Sequence, residues 1–262
     1  MTKFSAKLQT IGILYRIYQN RLRRSLDPAR VPQHIAVIVD GNRRWARLRQ
    51  EEAAAVGHRA GAAKIPEFLG WCEEAGVKTV TLYLLSTDNL KGRDSAELQA
   101  LFDIIAQLAN GLAARGDWRI KHIGDAAKLP QPLAETLQRV TEKSTMATGL
   151  QVNLAVGYGG RSEITAAVHA AIETQLDAGS KLEDIASWLT PELIGEHLWT
   201  SGQVDPDLII RTSGEQRLSD FMIWQSAHSE FYFVEALYPD LREVDLLRAL
   251  RDYSRRERRF GE

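Results

Sequence analysis

From Ile35 to Val39 the chain runs through five apolar residues without a polar break, most of them β-branched. A run that short and that continuous reads as a strand buried on both faces. It stops at Asp40-Gly41-Asn42, a turn cluster, and Arg43, Arg44 and Trp45 follow at once. A carboxylate and paired guanidinium groups at the end of a buried strand suit the binding of a metal-bound phosphate. The plainer alternative is a strand, a turn and the solvated start of a helix.

The remaining chain alternates the two periods. Arg44–Glu52 starts as a helix, Gly57-His58 marks a turn or helix entry, and Gly61–Glu74 is helical with Ile65, Phe68, Leu69 and Cys72 on one face. Lys78–Leu85 is a second strand, ending at Ser86-Thr87-Asp88-Asn89. The spacing predicts a helix over Ser95–Arg115, a strand over Arg119–Ile123, a helix over Pro132–Thr145 and a strand over Leu150–Val156. After Gly157-Tyr158-Gly159-Gly160-Arg161 a helix runs from Ser162 to Leu176, and Trp188–Leu198 is a shorter one. Strands follow over Leu208–Ile210, Phe221–Trp224 and Phe231–Val234, and Val244–Arg258 is the last helix. Strands alternating with helices imply an α/β fold, a mostly parallel central sheet flanked by helices on both faces. Asp40, Ser86–Asn89, Gly157–Arg161 and Arg211–Glu215 all follow carboxyl ends of strands, the edge where open α/β sheets bind ligands.

A chain of 262 residues can bury a large core. Its formal net charge of −1 argues against a general nucleic-acid binder. The single cysteine, Cys72, excludes an internal disulfide and fits a reducing, cytoplasmic compartment. No apolar run approaches the roughly 20 residues of a membrane span, and a signal peptide's apolar core is not expected at the N-terminus. Charge is uneven, however. Residues 1–30 carry seven basic side chains against Asp27 alone, and Phe4, Leu8, Ile11, Tyr15, Tyr18 and Leu22 recur at helical spacing. This basic amphipathic helix either lies on an anionic membrane surface, peripheral at the inner face of a cell membrane, or packs on protein. Asp27-Pro28 ends it, and residues 31–262 form one domain.

Several constellations carry chemistry. Asp40 and Glu230, each at a strand boundary, could share Mg²⁺, which usually takes one or two carboxylates and completes its shell with water and phosphate oxygens. Arg43, Arg44, Arg211 and Arg217 could bind a diphosphate through their planar forks; the alternative is surface pairing with Glu215 or Asp220. Gly157–Arg161 falls short of a G-x-G-x-x-G fingerprint and reads as a structural turn.

Taken together, His34–Ala46, Gly57-His58-Arg59-Ala60-Gly61, Leu82–Asn89, Asp205–Ser219, Trp224-Gln225 through Ser229-Glu230-Phe231-Tyr232-Phe233, and Arg259-Phe260-Gly261 resemble, in order, the signature blocks of the cis-prenyltransferases. The resemblance implies Mg²⁺-dependent addition of isopentenyl diphosphate to an allylic diphosphate with a Z double bond. It also implies an apolar tunnel between sheet and helices and a homodimer. It makes Asp40 the central residue, holding Mg²⁺ with Glu230. Gly41, Asn42, Arg43, Arg44 and Trp45 would cradle the allylic diphosphate, with His58 beside it. Arg211, Arg217, Leu218 and Ser219 would hold the isopentenyl diphosphate. Ser86, Thr87, Asp88 and Arg93 would form the substrate loop, and Asn89 the place of proton removal. Gly261, in the terminal tail, would reach a partner subunit's site. No Asp-Asp-x-x-Asp motif of the all-helical trans-prenyltransferases is present.

The departures are informative. Arg43 stands where many members have Gly, Ala54 where many have Arg, Leu90 where Trp is usual, and Gly92 is an extra residue before Arg93. Leu84 follows Tyr83 on the tunnel strand, where long-chain members carry Ala. Three more carbons in an apolar wall leave less room for a growing chain. A short product of about C15, from geranyl diphosphate, is therefore expected, rather than a C50–C55 lipid-carrier precursor or a non-catalytic partner subunit.

Overall fold

The computed structural model describes residues 3–256, with side chains from Leu14 onward. Its helices and strands, in chain order, are α1 (Lys3–Ser25), β1 (His34–Ile38), α2 (Asn42–Leu48), α3 (Ala54–Glu74), β2 (Thr79–Ser86), α4 (Thr87–Gly92), α5 (Ser95–Ala114) and β3 (Arg119–Ile123). There follow α6 (Gln131–Ser144), β4 (Gln151–Tyr158), α7 (Gly160–Asp177), α8 (Ile185–Trp188), α9 (Pro191–Glu196), β5 (Leu208–Arg211), β6 (Glu230–Phe233) and α10 (Glu243–Arg255).

The strands form one sheet in the order β3-β4-β2-β1-β5-β6, and every neighbouring pair is parallel. The central, mostly parallel sheet is thus as expected. All five residues of β1 are buried. Because side chains alternate across a strand, Ile35 and Val37 enter the large core under α3, α5, α6 and α10, while Ala36 and Ile38 enter a smaller aromatic core with Tyr83, Tyr158 and Phe221. That two-sided burial is why the sequence shows a continuous apolar run rather than an alternating one. The chain leaves β1 toward β2 on one side and returns to β5 on the other, so the strand order reverses at β1 and β5. The crevice beyond their carboxyl ends is where such sheets bind ligands.

Three expectations are corrected. Gly57-His58, read as a turn or helix entry, is not a turn: both lie in the opening turns of α3, which begins at Ala54. Gly57 serves close packing, since a Cβ there would lie 2.0 Å from the Asn42 carbonyl oxygen. Phe221–Trp224 is not a strand. Ser219, Asp220 and Met222 hold φ of 50°, 62° and 46°, left-handed values that no strand adopts. The apolar residues are buried all the same, Phe221 stacking on Tyr83 with ring centroids 4.5 Å apart. The helix read over Trp188–Leu198 is two short ones, α8 and α9, parted by Leu189 and Thr190, whose side chain caps α9. The short helix α4 was not anticipated.

The first helix docks on α10. Leu22 is buried against Val244 and Leu247, and Arg23 bridges Glu243 and, at 3.1 Å, Glu74. Its opposite side leaves Leu14 and Ile17 about 60% exposed. Phe4, Leu8 and Ile11 lie outside the residues whose side chains are described.

Candidate active site

The carboxyl ends of β1 and β5 bring Asp40 and Arg211 together. Ile38 pairs with Arg211 in register, and Arg211 Nη2 donates to Asp40 Oδ2 at 2.7 Å. Asp40 is pinned from several sides. Its N–H donates to Thr212 Oγ1 at 3.0 Å, the Thr212 hydroxyl donates to Asp40 O at 2.7 Å, and Tyr238 N donates to the same oxygen at 3.1 Å. The Gly41 N–H donates to Asp40 Oδ1 at 2.7 Å. Gly41 holds φ 103° with Leu237 pressed against its α-carbon, so only glycine fits this turn without strain. Arg211 is sealed, with a side chain 5% exposed, whereas Asp40 is 35% exposed. Its Nη1 donates to Ser219 Oγ at 2.9 Å and to Arg217 O.

Asp40 opens on a cavity of about 920 Å³ between the sheet edge, α3 and α5. Nine Lys and Arg side chains reach its lining against three Asp: Arg43, Arg44, Arg47, Lys91, Arg93, Lys128, Arg161, Arg211 and Arg217 face Asp40, Asp88 and Asp220. An excess of that size concentrates anions in a cleft. The inner wall is apolar, formed by Ile65, Leu84, Leu85, Leu101, Ile104, Ile105 and Leu108. The cavity therefore fits an anionic head joined to a hydrocarbon tail.

Of the residues singled out from sequence, Asp40, Gly41, Asn42, Arg43, Arg44, His58, Leu84, Ser86, Thr87, Asp88, Asn89, Arg93, Arg211, Arg217 and Ser219 all line this one space. Four do not. Trp45 turns outward on α2, its Nε1 donating to Asp240 Oδ1 at 2.9 Å and its ring lying 4.0 Å under the Arg49 guanidinium. Leu218 packs against the aromatic core instead. Gly261, with Arg259 and Phe260, lies outside the described residues. Glu230 opens β6 beside Leu208, which is itself opposite Ile35. Since parallel strands share direction, Glu230 lies at the amino-terminal edge while Asp40 follows the carboxyl edge. Five residues at about 3.3 Å each part them by roughly 16 Å, so the expected Asp40–Glu230 metal pair is not assembled within one chain. Glu230 pairs with Arg256.

The surface-pair alternative holds in part. Arg44 reaches Glu215 at 3.3 Å and Ser213 O at 3.1 Å, and Arg217 also contacts Glu215. Arg43 makes no hydrogen bond or ion pair among the described residues.

A polar cluster sits where α3, α4 and α5 meet. His58 is buried, and burial, ahead of the opposing Glu97, pulls its imidazole below the ordinary histidine value. Its Nε2 is 3.0 Å from Glu97 Oε1 and 3.0 Å from Arg93 Nη1. Arg93 also donates to Glu97 Oε1 at 2.8 Å and to Asn89 Oδ1 at 3.2 Å. Ser86 Oγ caps α4 by accepting from Asn89 N at 3.0 Å. Among the described residues, three of the six buried side-chain atoms without a partner belong to residues that line the cavity: Asn42 Oδ1, Arg93 Nε and Arg211 Nε. Such atoms cost free energy unless something binds them.

Sequence reasoning missed Glu97 and Asp220. Glu97 stands three residues after Asp94, a pattern that reads as an ordinary helix cap. Asp220 O accepts from Gly160 N at 2.7 Å and Asp220 Oδ1 from Arg161 N at 3.1 Å, which fixes the start of α7 at the cavity rim. The sequence offered it only as a surface ion-pair partner for the arginines.

Comparison with known proteins agrees with this geometry. Residues 38–261 match the family described as "Putative undecaprenyl diphosphate synthase". The chain is 49% identical over 251 residues to a (2Z,6E)-farnesyl diphosphate synthase of Mycobacterium tuberculosis, covering 95% of each. It is equally similar, 49% over 251 residues and 95% of each, to a short-chain Z-isoprenyl diphosphate synthase of Mycobacterium bovis. Its fold is similar to that of lavandulyl diphosphate synthase from Lavandula x intermedia in complex with dimethylallyl diphosphate, with a TM-score of 0.82 and 33% identity over 89% of this chain and 100% of that one.

Proposed function

This chain belongs to the cis-prenyltransferase family, as a Z-isoprenyl diphosphate synthase, and on that premise we propose that it condenses isopentenyl diphosphate with geranyl diphosphate to (2Z,6E)-farnesyl diphosphate. The observation that carries the reading is one cavity that joins a strongly basic mouth at Asp40 and Arg211 to an apolar wall containing Leu84.

The site suits Mg²⁺ only together with a diphosphate. Among the described residues no group of three or more His, Cys, Asp or Glu could hold a metal ion by itself. One half-open carboxylate, Asp40, matches the way Mg²⁺ is held by a single acid and phosphate oxygens. Bound there, the ion would supply charge neutralisation for the leaving diphosphate. Glu230 of the same chain lies too far away to share it.

The chain's own residues do the rest. The α2 start, with Gly41, Asn42, Arg43 and Arg44, cradles the allylic diphosphate, and His58 stands beside it. Arg43 adds the charge that Ala54 does not provide. Arg211, Arg217 and Ser219 hold the second diphosphate. As the allylic C–O bond breaks, negative charge grows on the departing oxygens, and preorganised guanidinium groups stabilise it. Holding the second substrate's double bond against the allylic carbon removes most of the entropic cost. The proton leaves the isopentenyl unit near Ser86 and Asn89, with a diphosphate oxygen as its acceptor.

Chain length is read at Leu84. It is half-buried on β2 and faces the cavity with Leu101, Ile104, Ile105 and Leu108 across from it. A condensation assay with Mg²⁺, isopentenyl diphosphate and allylic substrates of one to three units, resolved by chromatography, tests the reading. Geranyl diphosphate should give a C15 product, and Leu84→Ala should shift products to C20 and longer. A wild-type C50–C55 product, or no lengthening in Leu84→Ala, would sink the short-chain assignment.

We further propose a homodimer whose Arg259-Phe260-Gly261 tails complete the partner's site; a monomer in light scattering at assay concentration would refute it. The outer side of α1, with Leu14, Ile17, Arg16, Arg21 and Arg24, suits an anionic bilayer surface. Failure to sediment with anionic vesicles would remove that contact. Among the described residues no helix is long and apolar enough to cross a membrane.

A further inference from the structure

Asp94-Ser95-Ala96-Glu97 has the sequence of a helix cap in which Glu97 would reach back to the Asp94 N–H. The first half of that motif forms, since Asp94 Oδ1 accepts from Ala96 N at 2.8 Å and Glu97 N at 3.3 Å. The second half does not. Glu97 turns its carboxylate inward, where its side chain is 16% exposed, and joins His58 and Arg93. A carboxylate drawn away from a cap it could complete, toward a cavity-lining histidine and arginine, has another task.

We propose that Glu97 is a positioning residue for the condensation: through Arg93 it fixes the Asn89 amide so that the cavity meets its NH₂ rather than its oxygen. The chain of contacts is short. Glu97 Oε1 accepts from Arg93 Nη1 at 2.8 Å, and the other arm of the same planar fork donates to Asn89 Oδ1 at 3.2 Å. A guanidinium has only donors, so the amide oxygen must be the group that faces Arg93. That leaves the Asn89 NH₂ as the amide's free hydrogen-bonding group, and a donor suits a diphosphate oxygen better than a proton in flight. Asn89 then orients the diphosphate that takes the proton and does not take it itself. His58 completes the hub, with Nε2 3.0 Å from the same Glu97 oxygen. It stands on α3, so Glu97 ties three helices to one amide. This inference rests on the prenyl-transfer reading above.

The test compares Glu97→Gln, which keeps the shape and loses the charge, with Arg93→Lys, which keeps a charge and loses the fork. Each should lower kcat by about tenfold or more, with KM for geranyl diphosphate changed less than about threefold. The double variant Glu97→Gln/Asn89→Ala should be no slower than Asn89→Ala alone, because residues acting as one unit are not additive. Independently of turnover, the Asn89 side-chain amide signals in ¹⁵N NMR should move and broaden in Glu97→Gln. A wild-type rate and an unmoved Asn89 signal in Glu97→Gln would overturn the proposal, as would additive losses in the double variant. If wild-type protein condenses no prenyl diphosphate, the functional reading fails, while the Asn89 signal still decides whether Glu97 sets the amide.

Discussion

At the amino end of β1, His34 Nδ1 lies 2.7 Å from Val204 O and Nε2 2.8 Å from Thr81 Oγ1, and Asn153 Nδ2 donates to that same hydroxyl oxygen at 2.9 Å. The N–H groups of Gln33 and His34 both donate to Asp207 Oδ2, at 2.7 and 3.1 Å. Some 20 Å along the same strand, by its rise per residue, Asp40 and Arg211 share one cavity with Asn42 and Arg93, and Asn42 Oδ1, Arg93 Nε and Arg211 Nε are all buried and unpartnered. One strand thus ends in two polar clusters of opposite character. The His34 cluster is closed and can only hold the fold. The Asp40 cluster is left open, and its unmet hydrogen bonds are the signature of a ligand. Burial of polar groups alone does not separate function from structure; the difference lies in whether their partners are already present.

The contrast predicts opposite outcomes for substitution at the two ends. Asp40→Asn keeps an acceptor for Arg211 and removes the charge, so the fold should survive. Turnover should fall by about a thousandfold, equivalent to roughly 4 kcal/mol of transition-state stabilisation. Steady-state kinetics beside a thermal melt reads both. A melting point that falls far enough to explain the lost turnover would erase the distinction between the two ends.

His34→Leu should do the reverse. It takes the acceptor from the Thr81 hydroxyl, which keeps only its bond from Asn153 Nδ2, and the ring N–H from the Val204 carbonyl, at a cost of about 2–4 kcal/mol, while turnover of folded enzyme stays near wild type. The same residue sets a pH dependence. Because the Val204 carbonyl can only accept, Nδ1 carries the proton and Nε2 must stay bare to accept from Thr81. Burial pushes the imidazole down to about 4. The unfolded chain therefore binds a proton first, near 6.5. His34 stabilises fully above that value, and its contribution declines as pH falls from about 6.5 to about 4, by up to roughly 3 kcal/mol. His58 and His122, both lowered chiefly by burial, act in the same direction, whereas buried Glu163, raised chiefly by burial, opposes them. Unfolding free energies at pH 4.5 and 7 should show a smaller drop in His34→Leu than in wild type. An equal drop would remove His34 from the account.

Much of this was legible in the sequence because both ends of β1 carry strong local signals. The apolar run marked the strand, Asp40-Gly41-Asn42 its end, and Arg211 followed a second buried run. What escaped depends on contacts across the fold. Gly57 looked like punctuation, yet the carbonyl of Asn42 explains it, a group fifteen positions away. Phe221–Trp224 looked like a strand because burial makes residues apolar whatever the backbone does. Glu230 looked like Asp40's partner because both flank strands, but only the register shows that they flank opposite edges. Glu97 was hidden by its own cap motif, since nothing in four residues says which way a carboxylate will turn.

The smallest effect should come from Gly61, and it isolates the open end of the comparison. A Cβ at Gly61 would stand 2.3 Å from Asn42 Oδ1, and 3.1 Å from Nδ2, while at Gly57 it would meet the Asn42 backbone at 2.0 Å. Gly57→Ala must shift α2 as a whole and so disturbs fold and site together. Gly61→Ala presses only on the end of one side chain, which can rotate away. Its oxygen has no partner to lose, so stability should change by less than about 1 kcal/mol. If the Asn42 amide is held for the allylic diphosphate, that rotation should raise KM for geranyl diphosphate severalfold with kcat nearly constant, the mark of lost ground-state binding. An unchanged KM would mean that the Asn42 amide does not hold the allylic diphosphate. The open end of β1 would then shrink to Asp40, Arg211 and the arginines around them.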